Sequence, residues 1–312
     1  MIDFLRDAPV EGSLDVVWHA GWSSPKHDPA PEIQVHAYSE HTVLLRQNMS
    51  VHFEAPFLFL LFGNDRALLL DTGASADPDH FPLRETVDRL VADWLERHPR
   101  PEYPLLVAHT HGHGDHIAAD RQFADRPRTT VVGPGLDEVT AAFGLADWPH
   151  RAGTLDLGGR IVDLIPGPGH QRAALVFHDR HTGLLLTGDS LYPGRLYVED
   201  RAAYSATVDR LLDFCGTRPV RHVLGCHIEM TTTPCEDYPP RHRAPAGRAA
   251  APAHRGPSAH PAQGPRRDRG RPRHPPVRGV RPRVLRLTGR PADRPTGSYD
   301  EGVAPPSGRC QR

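Results

Sequence analysis

Four potential metal ligands crowd into the stretch Thr110-His111-Gly112-His113-Gly114-Asp115-His116. Imidazole and carboxylate together suit Zn²⁺, and also Fe or Mn. Gly112 and Gly114 remove side-chain bulk, so the rings and the carboxylate can converge from a tight loop that opens a helix. One zinc ion accepts about four ligands, so a loop this dense, joined by histidines from elsewhere, points to two metals. Further ligands are expected where other apolar runs end: His170 after Gly167-Pro168-Gly169, Asp189 closing Leu184-Leu185-Leu186-Thr187-Gly188, and His227 after Val223-Leu224-Gly225-Cys226. Each follows a strand-like run, which places these groups on one rim of a sheet, where loop-borne sites sit.

The elements that must carry them are legible as short β-type runs and periodic helices. Strands are expected at Ile33 to Ala37, Thr42 to Leu45, Phe57 to Phe62 and Ala67 to Leu70, punctuated by turn residues such as Gly63-Asn64-Asp65. These form an antiparallel meander. Leu83, Val87, Leu90, Val91 and Leu95 then recur at helical spacing, so Pro82 to His98 is expected as an amphipathic helix. Strands follow at Leu105 to Ala108, Thr129 to Val132, Arg160 to Ile165, Ala173 to Phe177, Gly183 to Leu186 and His222 to Leu224, with helices at Leu136 to Phe143 and Ser205 to Phe214. Strands punctuated by helices imply an α/β layered domain.

The net charge of -1 conceals two different chains. Residues 1–240 carry 20 Lys+Arg against 34 Asp+Glu, and residues 241–312 carry 17 against 4. The second stretch has 17 Arg, 13 Pro and 9 Gly but no Phe, Trp, Ile or Met, so it cannot bury enough apolar area to offset the entropy of ordering. A folded domain is therefore expected over 1–240, followed by a tail over 241–312. The tail is read first as a frameshifted stretch of a GC-rich gene and next as plain disorder; an arginine arm for nucleic acid ranks last. Four irregularly spaced cysteines do not make a disulfide scaffold. The N-terminus lacks a leader pattern and the longest apolar run, Phe57 to Phe62, is far short of a membrane span. A cytoplasmic protein without membrane partner is expected.

The ordered set His-x-His-x-Asp-His, Pro-Gly-His, Thr-Gly-Asp and a late Gly-x-His, preceded by Leu68-Leu69-Leu70-Asp71-Thr72-Gly73, resembles the metallo-β-lactamase superfamily over roughly residues 30 to 230. The resemblance implies a four-layer αββα sandwich. It implies that His111, His113 and His170 hold a first metal, that Asp115, His116 and His227 hold a second, and that Asp189 bridges both. Asp71 would orient the loop rather than bind metal. Two Zn²⁺ per chain, with Fe or Mn as alternatives, would share a water whose pKa falls from about 15.7 toward 7. The resulting hydroxide would attack a small carbonyl substrate, a thioester, lactone or ester, with Asp115 passing a proton to the leaving group. Tyr192 is a candidate donor to the substrate and Arg195 a candidate partner for an anionic substrate group; packing and an ordinary ion pair are the competing roles.

Other readings of the same residues are a mononuclear iron thiol or persulfide dioxygenase, a phosphodiesterase, and a non-catalytic binding module. An acidic core disfavours polyanions. The oligomeric state is not legible. His109 lies outside the ligand pattern and is expected to be structural. Cys226 is expected as a small buried residue whose side chain points away from the metals, and Trp18, His19 and Trp22 as a lid or packing arm.

Overall fold

Alternation along the strands divides the apolar residues among three layers of packing. The computed structural model describes residues 1–5, 8–19, 21–22, 25–230 and 236, together with the backbone of 254–255. Contacts divide the chain into Met1–Ala259 and His260–Arg312, and the second unit lies outside the described residues. The first sheet runs in order β1 (Ile33–Ser39), β2 (Thr42–Gln47), β3 (Phe57–Phe62), β4 (Ala67–Leu70), β5 (Leu105–Ala108) and β6 (Thr129–Val131). Its first four strands are the expected antiparallel meander, and β4, β5 and β6 are mutually parallel. The second sheet consists of β7 (Gly153–Asp156), β8 (Ile161–Pro166), β9 (Leu175–Asp179), β10 (Leu184–Gly188) and β11 (His222–Gly225), with β12 (His254–Arg255) paired beside β11. Apart from that pair, the arginine-rich tail falls outside the described residues.

Every residue of β3 is buried because both its faces are covered. Phe59 and Leu61 pack between the sheets with Leu68, Leu70, Leu164, Phe177 and Leu186. Leu58, Leu60 and Phe62 face α1 (Leu83–Arg97), which buries Leu83, Val87, Val91 and Trp94 at helical spacing. The short helices α2 (Gly114–Ile117) and α3 (Leu136–Phe143) follow β5 and β6, and on the far side Leu211 of α4 (Arg201–Thr217) packs on Ile165, Val176 and Leu185. The layers are therefore helix, sheet, sheet, helix, as expected. Helix α1 connects the parallel pair β4 and β5, and α4 connects the parallel pair β10 and β11. Parallel pairing with helical crossovers sends the carboxyl ends of these strands to the same rim, where open α/β sheets hold their ligands.

Several element bounds shift by one to four residues and strand β7 was not expected, and three of these departures have clear local reasons. Strand β7 has a half-exposed Gly-Thr-Leu-Asp sequence on the sheet edge, too polar to stand out. Helix α4 starts at Arg201 rather than Ser205 because the Asp200 carboxylate accepts the Ala202 and Ala203 N–H groups. Strand β9 begins at Leu175, since Ala173 and Ala174 belong to a turn closed by Gln171. No described helix is long and apolar enough to cross a membrane.

The two sheets are joined by a buried ion pair. Arg160 is bidentate to Asp179 at 2.6 and 3.0 Å, and the same guanidinium donates to the carbonyls of His41 and Phe62 and to Thr42 Oγ1. Both charged side chains are fully buried.

Candidate metal centre

Asp71 follows β4 and is the hub on which the histidine loop is built. Its carboxylate accepts Thr110 N–H at 2.7 Å and Thr110 Oγ1 at 2.8 Å, and it takes the Nδ1 proton of His116 at 2.9 Å. Its backbone is left-handed, with φ of 66°, a conformation that aspartate tolerates better than most residues. Cys226 also donates to it, at 3.4 Å. Cys226 is fully buried as expected, its thiol beneath the histidine loop on Asp71 and outside the two groups of candidate ligands. His109 sits behind the loop, 3.2 Å from Asp120 Oδ2, and joins neither ligand cluster.

All seven residues singled out as ligands converge, in two groups. His111, His113 and His170 form one, and Asp115, His116, Asp189 and His227 the other, each with candidate ligand atoms within 4.8 Å of one another. Two residues come from α2 (Gly114–Ile117), which opens from the loop as expected. In the first group the ring nitrogens stand pairwise 3.0, 3.1 and 3.2 Å apart. In the second, His227 Nε2 is 3.2 Å from both Asp115 Oδ2 and Asp189 Oδ1, and His116 Nε2 is 3.3 Å from Asp115 Oδ2. Asp189 spans the two: Oδ2 is 3.7 Å from His170 Nε2 and 3.9 Å from His111 Nε2, while Oδ1 faces the second group.

The outer nitrogens decide how these rings present themselves. His170 Nδ1 donates to the Tyr197 carbonyl at 2.7 Å and His227 Nδ1 to the Glu54 carbonyl at 3.1 Å. A carbonyl can only accept, so each ring keeps its proton there and turns Nε2 inward. His111 Nδ1 lies 3.2 Å from Thr110 Oγ1, whose own proton goes to Asp71, and His113 Nε2 lies 3.7 Å from Glu199 Oε1. Outer partners of this kind are what metal-binding histidines use to fix tautomer and ring orientation. Glu54, Tyr197, Thr110 and Glu199 were missed in the sequence because two contribute only a carbonyl and all depend on contacts made by the fold.

A divalent metal fits this donor set. Three inward lone pairs 3.0 to 3.2 Å apart repel one another, yet zinc bonds of about 2.0–2.1 Å in tetrahedral geometry place ligand atoms about 3.3 Å apart. In the second group His116 Nε2, His227 Nε2, Asp115 Oδ2 and Asp189 Oδ1 crowd together at 3.2 to 3.5 Å, two carboxylates and two imidazoles converging on a space that a divalent cation suits.

Burial lowers the His111 pKa, and the charge on His116 adds to that, so this ring is neutral and ready to ligate. Burial also lowers that of His227, but the charge of Asp189 and hydrogen bonds to Asp115 and Asp189 outweigh it and raise it to about 10. His116 is likewise raised well above its ordinary value: burial opposes, and Asp71, Asp115 and Asp189 prevail. Both rings therefore carry a second proton in the metal-free protein at neutral pH, which metal must displace. Metal uptake near pH 7 is expected to release one proton from each ring, read as a pH drop in weakly buffered solution; no release would contradict it. The raised His227 pKa stabilises the metal-free fold fully below 6.5, and that contribution is lost as pH rises through about 10. Thermal unfolding of the metal-free protein over that range checks the sign.

Tyr192 and Arg195 lie on the loop after Asp189. The Tyr192 ring is 5.5 Å from the His227 ring, but its hydroxyl donates to the Arg195 carbonyl and lies 3.4 Å from Glu229 Oε2. Arg195 gives its backbone N–H to Glu229 at 2.7 Å and brings its guanidinium to 3.8 Å from the same carboxylate.

A family model described as the metallo-beta-lactamase superfamily matches residues 54–246. The chain belongs to the metallo-beta-lactamase superfamily. Among relatives in this superfamily, it is 31% identical over 146 residues to a hydroxyacylglutathione hydrolase of Rhizobium meliloti (strain 1021), covering 45% of this chain and 54% of that protein. It is 26% identical over 207 residues to acyl-coenzyme A thioesterase MBLAC2 of Gallus gallus, covering 55% and 72%. The chain spans about half the length of the first curated relatives it matches. A solved metallo-beta-lactamase from Pontibacter korlensis is similar at 16% identity and a TM-score of 0.45, over 62% of this chain and 91% of that one.

Proposed function

We propose that the protein is a metal-dependent hydrolase with a two-metal centre that cleaves a small acyl substrate, a thioester, lactone or ester. The observation that carries this reading is Asp189, a single carboxylate with one oxygen toward the three-histidine group and the other toward His227. His111, His113 and His170 would hold one ion, Asp115, His116 and His227 the other, with Asp189 shared. Bound there, zinc or a similar divalent ion supplies Lewis acidity that polarises a carbonyl and lowers the pKa of water.

The chain's own residues do the rest. Asp71 keeps His116 and Thr110 in place, so the ligands need no rearrangement when charge develops. Asp115 is the more open of the two inner carboxylates, its side chain 21% exposed against 10% for Asp189. It is therefore placed to take a proton from attacking water and return it to the leaving group. Tyr192 can donate to a substrate only by giving up the Arg195 carbonyl, so its first role is to brace the loop beside His227. Arg195 can bind an anionic group only in competition with Glu229.

Relatives named hydroxyacylglutathione hydrolase and acyl-coenzyme A thioesterase support the acyl class. The test is a panel of thioester, lactone, aryl ester, β-lactam and phosphodiester substrates with metal-quantified protein. Turnover of acyl compounds that a chelator abolishes is expected; turnover confined to phosphodiesters would sink the acyl reading.

A further inference from the structure

Residues 190–199 leave the shared carboxylate Asp189 and end against the first histidine group. The Tyr197 carbonyl accepts from His170 Nδ1 at 2.7 Å, and Glu199 N–H donates to the Gly169 carbonyl at 2.8 Å. The other side is held by the segment after His227: Glu229 and Met230 donate N–H groups to the Pro193 carbonyl at 2.9 and 3.0 Å, and the Glu229 carboxylate accepts Arg195 N–H. The segments approach closely, since a Cβ on Gly225 would stand 2.3 Å from Tyr192 Cβ and one on Gly194 would meet the Tyr192 ring. The loop is thus fixed at the rim of the metal centre rather than draped over it.

From Leu191 to Tyr197 its most exposed side chains are apolar, and Glu199 at its end is exposed beside His113. Leu191, Leu196 and Tyr197 are 43%, 36% and 61% exposed, three large apolar side chains on one short loop. The single cation of residues 190–199 is Arg195, and Glu229 stands beside it. A surface that is apolar, held in place and bonded to His170 offers little to a phosphate or carboxylate carrier. It suits the alkyl part of an acyl group whose carbonyl lies at the metals.

We propose that residues 191–197 are the acyl-chain recognition loop of this enzyme, with Leu191 and Leu196 as specificity-determining contacts for an uncharged hydrocarbon chain. This rests on the metal centre being the place of acyl hydrolysis. Burying a methylene completely is worth about a fourfold gain, and a chain lying on one open face gains roughly half of that free energy, about twofold per methylene.

The test uses the metal-loaded full chain and p-nitrophenyl esters from acetate to octanoate. The value of kcat/KM is expected to rise about twofold per added methylene. The Leu191→Ser/Leu196→Ser variant is expected to flatten that slope, and Leu196→Met to keep it. Calorimetry with octanamide and acetamide reads the same contact without turnover: octanamide is expected to bind at least about tenfold more tightly, and only while both leucines are present. If no ester is turned over but octanamide binding still depends on the leucines, the loop assignment stands and the hydrolase reading falls. A slope unchanged by the serine variant, or equal affinity for the two amides, overturns the proposal. So does a variant that converts a dimer to a monomer while the slope persists, because the leucines then serve an interface between two copies of the chain.

Discussion

Asp189→Ala is expected to lower kcat/KM for the best acyl substrate by at least about a thousandfold, because the metal contribution being removed is worth several kcal/mol. Asp189 lies at the end of β10 with its oxygens directed to both histidine groups. Alanine keeps the backbone and removes only the carboxylate that faces both groups. Burial pushes the Asp189 pKa up, but the charge on His227 and hydrogen bonds from His116 and His227 hold it well below the ordinary carboxylate range. It is thus a full negative charge among four imidazoles, and its loss leaves their cations without a common counter-charge. Metal content should fall along with activity. The β10 core residues, Leu184 to Leu186, are buried on both faces and are untouched by the change, but His116 and His227 lose a counter-charge that raises their pKa, so the metal-free variant is also expected to unfold at a lower temperature than the parent near neutral pH. Activity within tenfold of the parent, with metal content unchanged, would mean that Asp189 does not share the ions.

Arg160→Ala is expected to produce the largest loss of stability, about 3–5 kcal/mol, because it leaves the Asp179 carboxylate buried and uncompensated. In a domain of this size that corresponds to a fall in Tm of roughly 6–20 °C. The guanidinium also satisfies the carbonyls of His41 and Phe62 at the ends of strands in the opposite sheet, so its loss loosens the joint between the layers. Burial raises the Asp179 pKa, and Arg160 is the main group that overrides it and keeps the carboxylate ionised. The pair lies at the start of β8, whereas His170 follows the end of that strand, so kcat measured well below the new Tm should change little. The double replacement Arg160→Met/Asp179→Leu is expected to recover most of the loss, since apolar groups can replace a buried ion pair at little cost. A single variant no less stable than a surface arginine substitution would contradict this account of the joint.

The candidate ligands were legible because His111, His170, Asp189 and His227 lie just beyond apolar strands and the other three share the loop that follows one of those strands. His111, His170, Asp189 and His227 could be placed on one rim from the strand ends alone, before any contact was known. The Phe57–Phe62 and Leu105–Ala108 strands were equally plain, being apolar runs buried on both faces. What escaped was whatever depends on distant backbone. The Tyr197 and Glu54 carbonyls that set the tautomers of His170 and His227 have no residue signature. Nothing local in the sequence says that Arg160 and Asp179 are both sealed between the sheets. Tyr192 illustrates the same limit: its position after Asp189 suggested a free hydroxyl, but the turn through Pro193 and Gly194 brings the Arg195 carbonyl back onto it.

The measurement that tests the central claim most directly is metal stoichiometry by elemental analysis of the purified chain, alongside a titration of the metal-free protein with Zn²⁺. Two ions per chain, with acyl hydrolysis appearing only as the second site fills, is the predicted result. One iron per chain, with thiol-dependent oxygen uptake and no ester or thioester hydrolysis at any metal loading, would contradict it.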